Sequence, residues 1–479
     1  MKINLSSFYS AVTLLITLGI SALCSPVLSA AESDRAAVSA TDWRENYAYN
    51  MGVAAMHYTY PYLRMAHVRW NWTMAEAKHP EVQPNNSLNT FWHASRLTDS
   101  NWTEGGAPNN DTLYSVAMLH VSEEPYILSV PAVDRYYTFE LAGMNSDNFA
   151  YVSELQHGRQ GGHYALLPRN WEGTLPKGVV AVAEVPSPWV LVGGRTYVGG
   201  SEDVVSVRAL QQHYKVTPLS QWGSEEIAPP QPEVFQPYDS AADPLAVWKT
   251  INRMLGENPP IGAEAALMDF FKEIKIGPGM DVETLDDASR KGLARAATEG
   301  LAQIHSAQMS GAGDVEMHNG WIYSSALGRA GANGDFLMRT VHQSYSGIVA
   351  NDPEEAIYYG GYRGSDGQAL NGDKRYQIQL PAGSEPDVGA FWSITLYNSS
   401  ANMVGNEMNR YSIGDRTTGL VRDDKGGLTI AIQADAPADE KINWLPAPQG
   451  SFWMVLRAYQ PGPDLLEGKW SPPKIKVVE

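Results

Sequence analysis

The run Ala107–Ser115, APNNDTLYS, carries two amides and a carboxylate straight into a strand-like stretch. Asn and Asp side chains accept bonds from backbone N–H groups one or two residues on, so Asn109, Asn110 and Asp111 have the composition of an Asx turn that folds a corner. The same side chains, with Tyr114 behind them, also suit the wall of a cleft. There Asp111 would be a base or a ligand of a hard cation, and Asn109 and Asn110 would orient a substrate hydroxyl or carbonyl. Upstream, TFWHASR supplies His93 and Arg96. A histidine beside Trp92 suits a hydrogen-bonded core position; set against Asp111 it would form a His–carboxylate pair that moves protons near neutral pH. The expected catalytic pair is His93 and Asp111, with Arg96, Asn109, Asn110 and Tyr114 holding substrate.

Further polar groups fall at loop tips. Asn145, Asp147 and Asn148 follow a strand that begins near Tyr136, and Asn398, Asn406, Asn409 and Arg410 occupy the matching place in the last part of the chain. Such tips serve as solvated turns, or, where equivalent ends of two β modules frame one cleft, as ligand contacts; Asn145 and Asn148 are expected to be substrate-binding. In NRYSIGDRTTGL the Arg–Asp pair has the composition of a structural salt bridge, while the planar fork of Arg410 or Arg416 equally fits a substrate carboxylate. His157 and His163 in HGRQGGH are too few for zinc, and no metal or organic cofactor is expected. No Gly-x-Ser-x-Gly, His-Glu-x-x-His, Gly-x-Gly-x-x-Gly or Walker loop occurs, and the one Ser-x-x-Lys, Ser471 to Lys474, encloses two prolines. Nucleotide, dinucleotide and standard serine-hydrolase chemistry therefore lose support.

The elements that must position these groups follow from periodicity. Residues 44–78 have helical spacing, with Pro61 marking a kink or restart. Between Leu113 and Val198, short aromatic and β-branched runs punctuated by turn signals describe a β domain. Helical spacing returns at 201–222, a Pro-rich linker follows at 228–237, and four more helices are predicted near 243–255, 262–274, 282–309 and 332–349. The last 110 residues or so are β again; in Arg375–Leu380, Tyr376, Ile378 and Leu380 alternate with polar residues. YILSVPAVDRYYTFEL (126–141) and YQIQLPAGSEPDVGAFWSITL (376–396) share a strand opening on Tyr, a Pro-Ala corner and a second aromatic-led strand. That likeness suggests a duplicated β-sandwich module.

Composition bounds the rest. A chain of 479 residues exceeds the size at which single cores stop growing, about 250–300 residues, so more than one domain is expected. Lys2, the apolar run Ala11–Leu23 and the small residues Ser29–Ala31 read as a signal peptide over 1–31. Cys24, the only cysteine, would leave with it or, in a lipoprotein reading, be acylated. The mature chain would have no disulfides. Loss of Lys2 leaves 34 basic against 53 acidic residues, a net charge of −19. Such a field disfavours nucleic acid and anionic membranes and suits a neutral small molecule or glycan. Four of the 14 tryptophans fall between Trp70 and Trp102; most are expected in the core, while Trp102 has the loop setting of a ring that stacks on a sugar.

NTFWHASRLTD, APNNDTLYSVAMLHVSEEPYILSVP, RYYTFELAGMNSDNFAYV and VGGRTYV resemble the module called domain of unknown function 1254. FWSITLYNSSANMVGNEMNRYSIGDRTTGL and INWLPAPQGSFWMVLRAYQP resemble its companion, domain of unknown function 1214. The resemblance implies an exported bacterial protein with two β-sandwich modules bridged by helices, and no family-wide activity. The expected fold is mixed α and β and multidomain: a helical segment at 32–79, antiparallel β-sandwich-like modules at 80–200 and 365–479, and a helical region at 201–364 joining them. The expected function is that of a periplasmic hydrolase or lyase without cofactor, acting on a small neutral or glycan-like substrate in a cleft between the modules. The alternative is a non-catalytic binding protein. No membrane span is expected in the mature chain, and a homo-oligomer remains open because β-sandwich edges invite partners.

Overall fold

A 34-residue helix, α1 (Ala40–Thr73), is the first element of the computed structural model, which describes residues 40–309, 317–323, 328, 330–331, 334–439 and 441–478. The expected leader, with Cys24, lies outside the described residues. In its middle α1 is buried through Ala55, Met56, Tyr58, Tyr62, Leu63, Met65, Ala66 and Val68, and only a narrow stripe through Ala54, Arg64 and His67 reaches solvent. It packs on α5 (Asp287–Met309) through small residues: a Cβ on Gly292 would lie 2.2 Å from the Glu45 carbonyl, and one on Gly52 2.6 Å from Ala296 Cβ. Helices α2 (Val204–Gln211), α3 (Ala246–Glu257) and α4 (Ala263–Phe271) complete the helical part, with a π-helical turn at Arg339–Tyr345.

Pro61 does not break α1. A proline has no N–H to give to the carbonyl four residues back, which leaves His57 O unused, and Thr340 Oγ1 from the π-helical turn donates to it at 2.7 Å. The next residue along the turn, Arg339, is fully buried and bridges Asp147 at 3.0 Å and Glu264 at 3.3 Å, with its guanidinium over the Tyr58 and Phe336 rings. One turn thus repairs the proline gap and ties α1, α4 and the loop after the 137–143 strand together.

The nineteen described strands are β1 (Trp92–His93), β2 (Thr112–His120), β3 (Tyr126–Val130), β4 (Tyr137–Gly143), β5 (Asn148–Ser153), β6 (Gly162–Leu167), β7 (Val179–Glu184), β8 (Trp189–Tyr197), β9 (Lys215–Pro218), β10 (Met317–His318), β11 (Trp321–Tyr323), β12 (Ala356–Gly361), β13 (Arg375–Leu380), β14 (Val388–Asn398), β15 (Ser412–Gly414), β16 (Leu428–Gln433), β17 (Asn443–Pro446), β18 (Phe452–Pro461) and β19 (Lys476–Val478). They form four sheets, ordered β1-β2-β8-β4-β5, β7-β6-β3-β9, β10-β11-β12-β18-β14-β15 and β17-β16-β13-β19. The fold is mixed α and β, with two β-sandwich modules and an intervening helical part. The modules are not purely antiparallel, because β6 runs parallel to β7 and β16 parallel to β17.

The two modules repeat one connectivity. Strands β2–β9 of the first correspond in order and pairing to β12–β19 of the second. In each, the chain leaves an outer-sheet strand (β3, β13) at the Pro-Ala corner and enters an inner-sheet strand (β4, β14). Lys215–Pro218 closes the first outer sheet, and 317–361 supplies three strands of the second inner sheet, so both sandwiches draw strands from the stretch expected to be a helical linker.

The central inner-sheet strands β2 and β4 are buried on both faces, although in β4 Tyr137, Phe139 and Leu141 alternate with the polar Thr138 and Glu140. One face of the first inner sheet packs on its outer sheet through Ala117, Leu119, Phe139, Leu141 and Val192. The opposite face is divided. Val116, Met118 and Leu191 meet α1 and the helical core, while the end bearing Tyr114, Arg195, Tyr197, Thr138 and Glu140 meets the second module's inner sheet. The contact runs through Tyr136, Tyr197, Phe391 and Tyr459. Replacing Thr340 by Val strands the His57 carbonyl and should cost about 1–3 kcal/mol of unfolding free energy. Urea denaturation reads this; an unchanged midpoint would show that the proline gap needs no such partner.

Candidate functional site

The APNND corner is where the second module grips the first. Asn109 Oδ1 accepts from the N–H groups of Asp111 and Thr112 and from Thr112 Oγ1, and Asn109 Nδ2 donates to the Tyr114 hydroxyl at 2.9 Å. Asn110 donates to Thr98 O at 2.6 Å. These amides are used within the first module, as an Asx turn uses them. The carbonyls of Ala107 and Pro108 accept from Arg457 (2.8 Å) and Tyr397 (2.7 Å), and Asp111 accepts from Ser393 (2.6 Å) and Ser412 (3.3 Å). Burial raises the Asp111 carboxyl, against the Ser393 bond and the Arg457 charge.

His93 and Asp111 are not brought together. His93 pairs with Ser115 in the β1–β2 register and bonds its hydroxyl at 2.9 Å. Ser115 lies four residues along the strand from Asp111, about 13 Å at a rise of ~3.3 Å per residue. The imidazole stacks on Phe91, and burial pushes its pKa down to about 4, so it sits neutral under the sandwich core. Arg96 pairs with Asp99 at 2.9 Å. Asn145 bonds Asp147, while the buried Asn148 donates to Ala350 O at 2.7 Å. Arg410 donates to Trp444 O at 3.0 Å. Trp102 packs on His79 and donates to Gly105 O. Of the sequence-derived substrate residues, Tyr114 and Arg416 lie at the seam between the modules.

That seam carries a repeated constellation. In β2–β8, Tyr114 is the register partner of Arg195, and in β12–β18 Tyr358 is that of Arg457; Tyr197 and Tyr459 follow two residues later. Arg195 donates to Glu140 at 2.7 Å and to Asn351 at 3.2 Å, and Asn351 donates to the Tyr358 hydroxyl at 2.9 Å. Arg457 donates to Thr395 at 3.0 Å. Burial opposes the Arg195 charge, yet the adjoining Glu140 carboxylate outweighs it and holds the guanidinium well above its ordinary value. Below this layer Glu355, almost fully buried, accepts from Ser153 at 2.5 Å. Burial pushes its carboxyl up to about 7, with Glu140 and Asp352 adding to the rise.

At the edge of the seam the modules leave a cleft of about 370 Å³. Its aromatic wall is Tyr136, Tyr197 and Phe391, with Phe391 stacked on Tyr459 at 4.2 Å, and its charged lining is Arg135, Arg159, Arg416, Asp134 and Asp203. Arg416 is 55% exposed, lies 5.7 Å over the Tyr197 ring and donates to Ala390 O at 2.6 Å. Among the described residues no group of three metal-ligating side chains occurs, and no helix is long and apolar enough to cross a membrane. Sequence reasoning missed Arg135, Arg159, Arg195, Tyr358 and Arg457. The signal for the paired arginines was present as Arg-x-Tyr in the last long strand of each module, at Arg195–Tyr197 and Arg457–Tyr459.

The fold and seam define a double-sandwich protein whose two repeats meet through their inner sheets. Residues 88–218 match the family described as protein of unknown function DUF1254, and residues 355–463 the one described as protein of unknown function DUF1214. The chain belongs to the family that joins these two domains in that order. It is similar to the crystal structure of the VPA0106 protein from Vibrio parahaemolyticus, with 25% identity and a TM-score of 0.68 over 90% of this chain and 100% of that one. A protein of Burkholderia cenocepacia gives 13% identity and a TM-score of 0.43, covering 92% of this chain and 95% of that one. No curated protein matches.

Two outcomes test the seam. Arg195→Met leaves the Glu140 carboxylate buried without its partner and should cost about 3–5 kcal/mol, most of it recovered when Glu140→Gln is added; urea unfolding of the single and double variants reads this. Glu355 gives a pH signature. Its folded value near 7 lies above the unfolded 4.5, so its stabilisation is full below about pH 4.5 and is lost as pH rises through 7. Relative to Glu355→Gln, the wild type should lose roughly 3 kcal/mol across that window and run parallel above it; parallel profiles throughout would contradict the raised value.

Proposed function

We propose that the protein binds a small organic molecule in the cleft between its two modules, without catalysis. The observation that carries this reading is the cleft itself. Its aromatic wall and its arginines come from both repeats, and its volume of about 370 Å³ falls in the small-ligand range of roughly 300–1,000 Å³. Its titratable lining consists of arginines, tyrosines and the aspartates Asp134 and Asp203; Asp203 is ion-paired to Arg135 and Asp134 sits 3.0 Å from it, so neither aspartate stands free as a base. The separation of His93 from Asp111 removes the pair on which a hydrolase or lyase reading rested.

Export to a periplasm belongs to the same proposal and rests on Lys2, the apolar run Ala11–Leu23 and the small residues Ser29–Ala31. A binding protein of this kind needs no resident cofactor. Native mass spectrometry of protein purified from its own host should detect a non-covalent small-molecule adduct, and Tyr197→Ala, which removes one half-buried wall residue, should abolish it. An adduct retained at full occupancy in Tyr197→Ala would move the site elsewhere.

A further inference from the structure

We infer that the ligand of the cleft is a small planar carboxylate, held by its anionic group on Arg416 and by its ring or conjugated body against the Tyr197 ring. The inference rests on the binding reading above and narrows it to one chemical class.

One arginine supports an anion. Three arginines and two aspartates line the cleft, on a chain of net charge −18, and Glu154 and Asp415 lie against Arg159 and Arg416. Most of that charge is already engaged. Arg135 is ion-paired with Asp203 and with Asp134 at 3.0 Å, and Arg159 donates to Glu154 at 2.6 Å and to Asp134 O at 3.2 Å. Arg416 differs. Its nearest carboxylate, Asp415, stands 3.4 Å from Nε, and one Asp415 oxygen is taken by the Trp392 N–H at 3.0 Å. Burial raises the Asp415 carboxyl, against the Trp392 N–H and the Arg416 charge. Arg416 Nη2 is anchored on Ala390 O, and Nη1 donates no hydrogen bond to a protein acceptor among the described residues. A guanidinium anchored on one edge and open on the other is prepared for a carboxylate.

The flat wall supports a planar body. Phe391 is packed between Tyr197 and Tyr459 and is almost fully buried, so the ring that the cleft offers is that of the half-buried Tyr197. Arg416 sits over the Tyr197 ring, where the guanidinium plane can also cover one face of a bound ring.

The test is calorimetric titration of the full chain with benzoate, benzamide and benzamidine, which share a ring and differ in charge. Benzoate should bind at least tenfold more tightly than benzamide, and benzamidine should not bind. Arg416→Gln, at an exposed position that leaves folding intact, should lower benzoate affinity about tenfold and erase the preference over benzamide. Tyr197→Ala should weaken both. Benzamide binding as tightly as benzoate, or a preference that survives Arg416→Gln, would overturn the carboxylate assignment while leaving the cleft reading in place. Absence of binding by all three, with Tyr197→Ala without effect on the natural adduct, would overturn both.

Discussion

Two arginines at one seam, Arg457 buried and Arg195 largely so, constrain the whole molecule. They occupy equivalent places on equivalent strands, β8 and β18, and each must find acceptors between two sheets. Burying a charge is costly unless it is paired and hydrogen-bonded. The acceptors come from both sides: Glu140 and Asn351 for Arg195, Thr395 and the Ala107 carbonyl for Arg457. The first repeat therefore completes its partner's polar set and cannot be withdrawn without stranding it. The APNND corner is the clearest instance, since its carbonyls and Asp111 are satisfied by Arg457, Tyr397, Ser393 and Ser412 of the other repeat.

The cleft is a consequence of that docking. Inner sheets that meet through Tyr136, Tyr197, Phe391 and Tyr459 pack tightly at their centre and part at the edge, where Arg135, Arg159 and Arg416 ring the opening. Neither repeat owns it. The repeated connectivity gives each module an equivalent inner sheet, and the opening between them has Arg416 on one lip and Arg135 on the other. Above the seam, the Arg339 turn and α1 clamp the first module's loop at Asp147, so the helical part stiffens the arrangement from the opposite side.

Much of the architecture was legible in the sequence. The β–α–β order follows from periodicity, and the Tyr-to-Pro-Ala likeness marked a true repeat because outer-to-inner crossing strands need the same corner in each module. Local signals failed where partners came from far away. Thr340, which rescues the Pro61 gap, is 283 residues from His57, and Lys215–Pro218 reads as the tail of a helix yet completes a sheet. The polar corner at Asn109 draws attention by its composition, but residue type alone cannot tell a catalytic carboxylate from a docking one; in the fold Ser393 and Ser412 of the other repeat bond Asp111. Arg416 was a candidate for its forked geometry, and Arg195 and Arg457 were overlooked because an arginine inside a strand has no sequence mark except its repetition.

The account stands on the two repeats being one permanently docked body. Native-state hydrogen exchange on the full chain measures this most directly, at the amides of β8 and β18. Docked repeats predict that both strands exchange only through global unfolding, with the same free energy and the same urea dependence. Exchange of either strand through a smaller opening, at a lower free energy than the other, would mean that the modules part in solution and that the seam and its cleft are not fixed features of the protein.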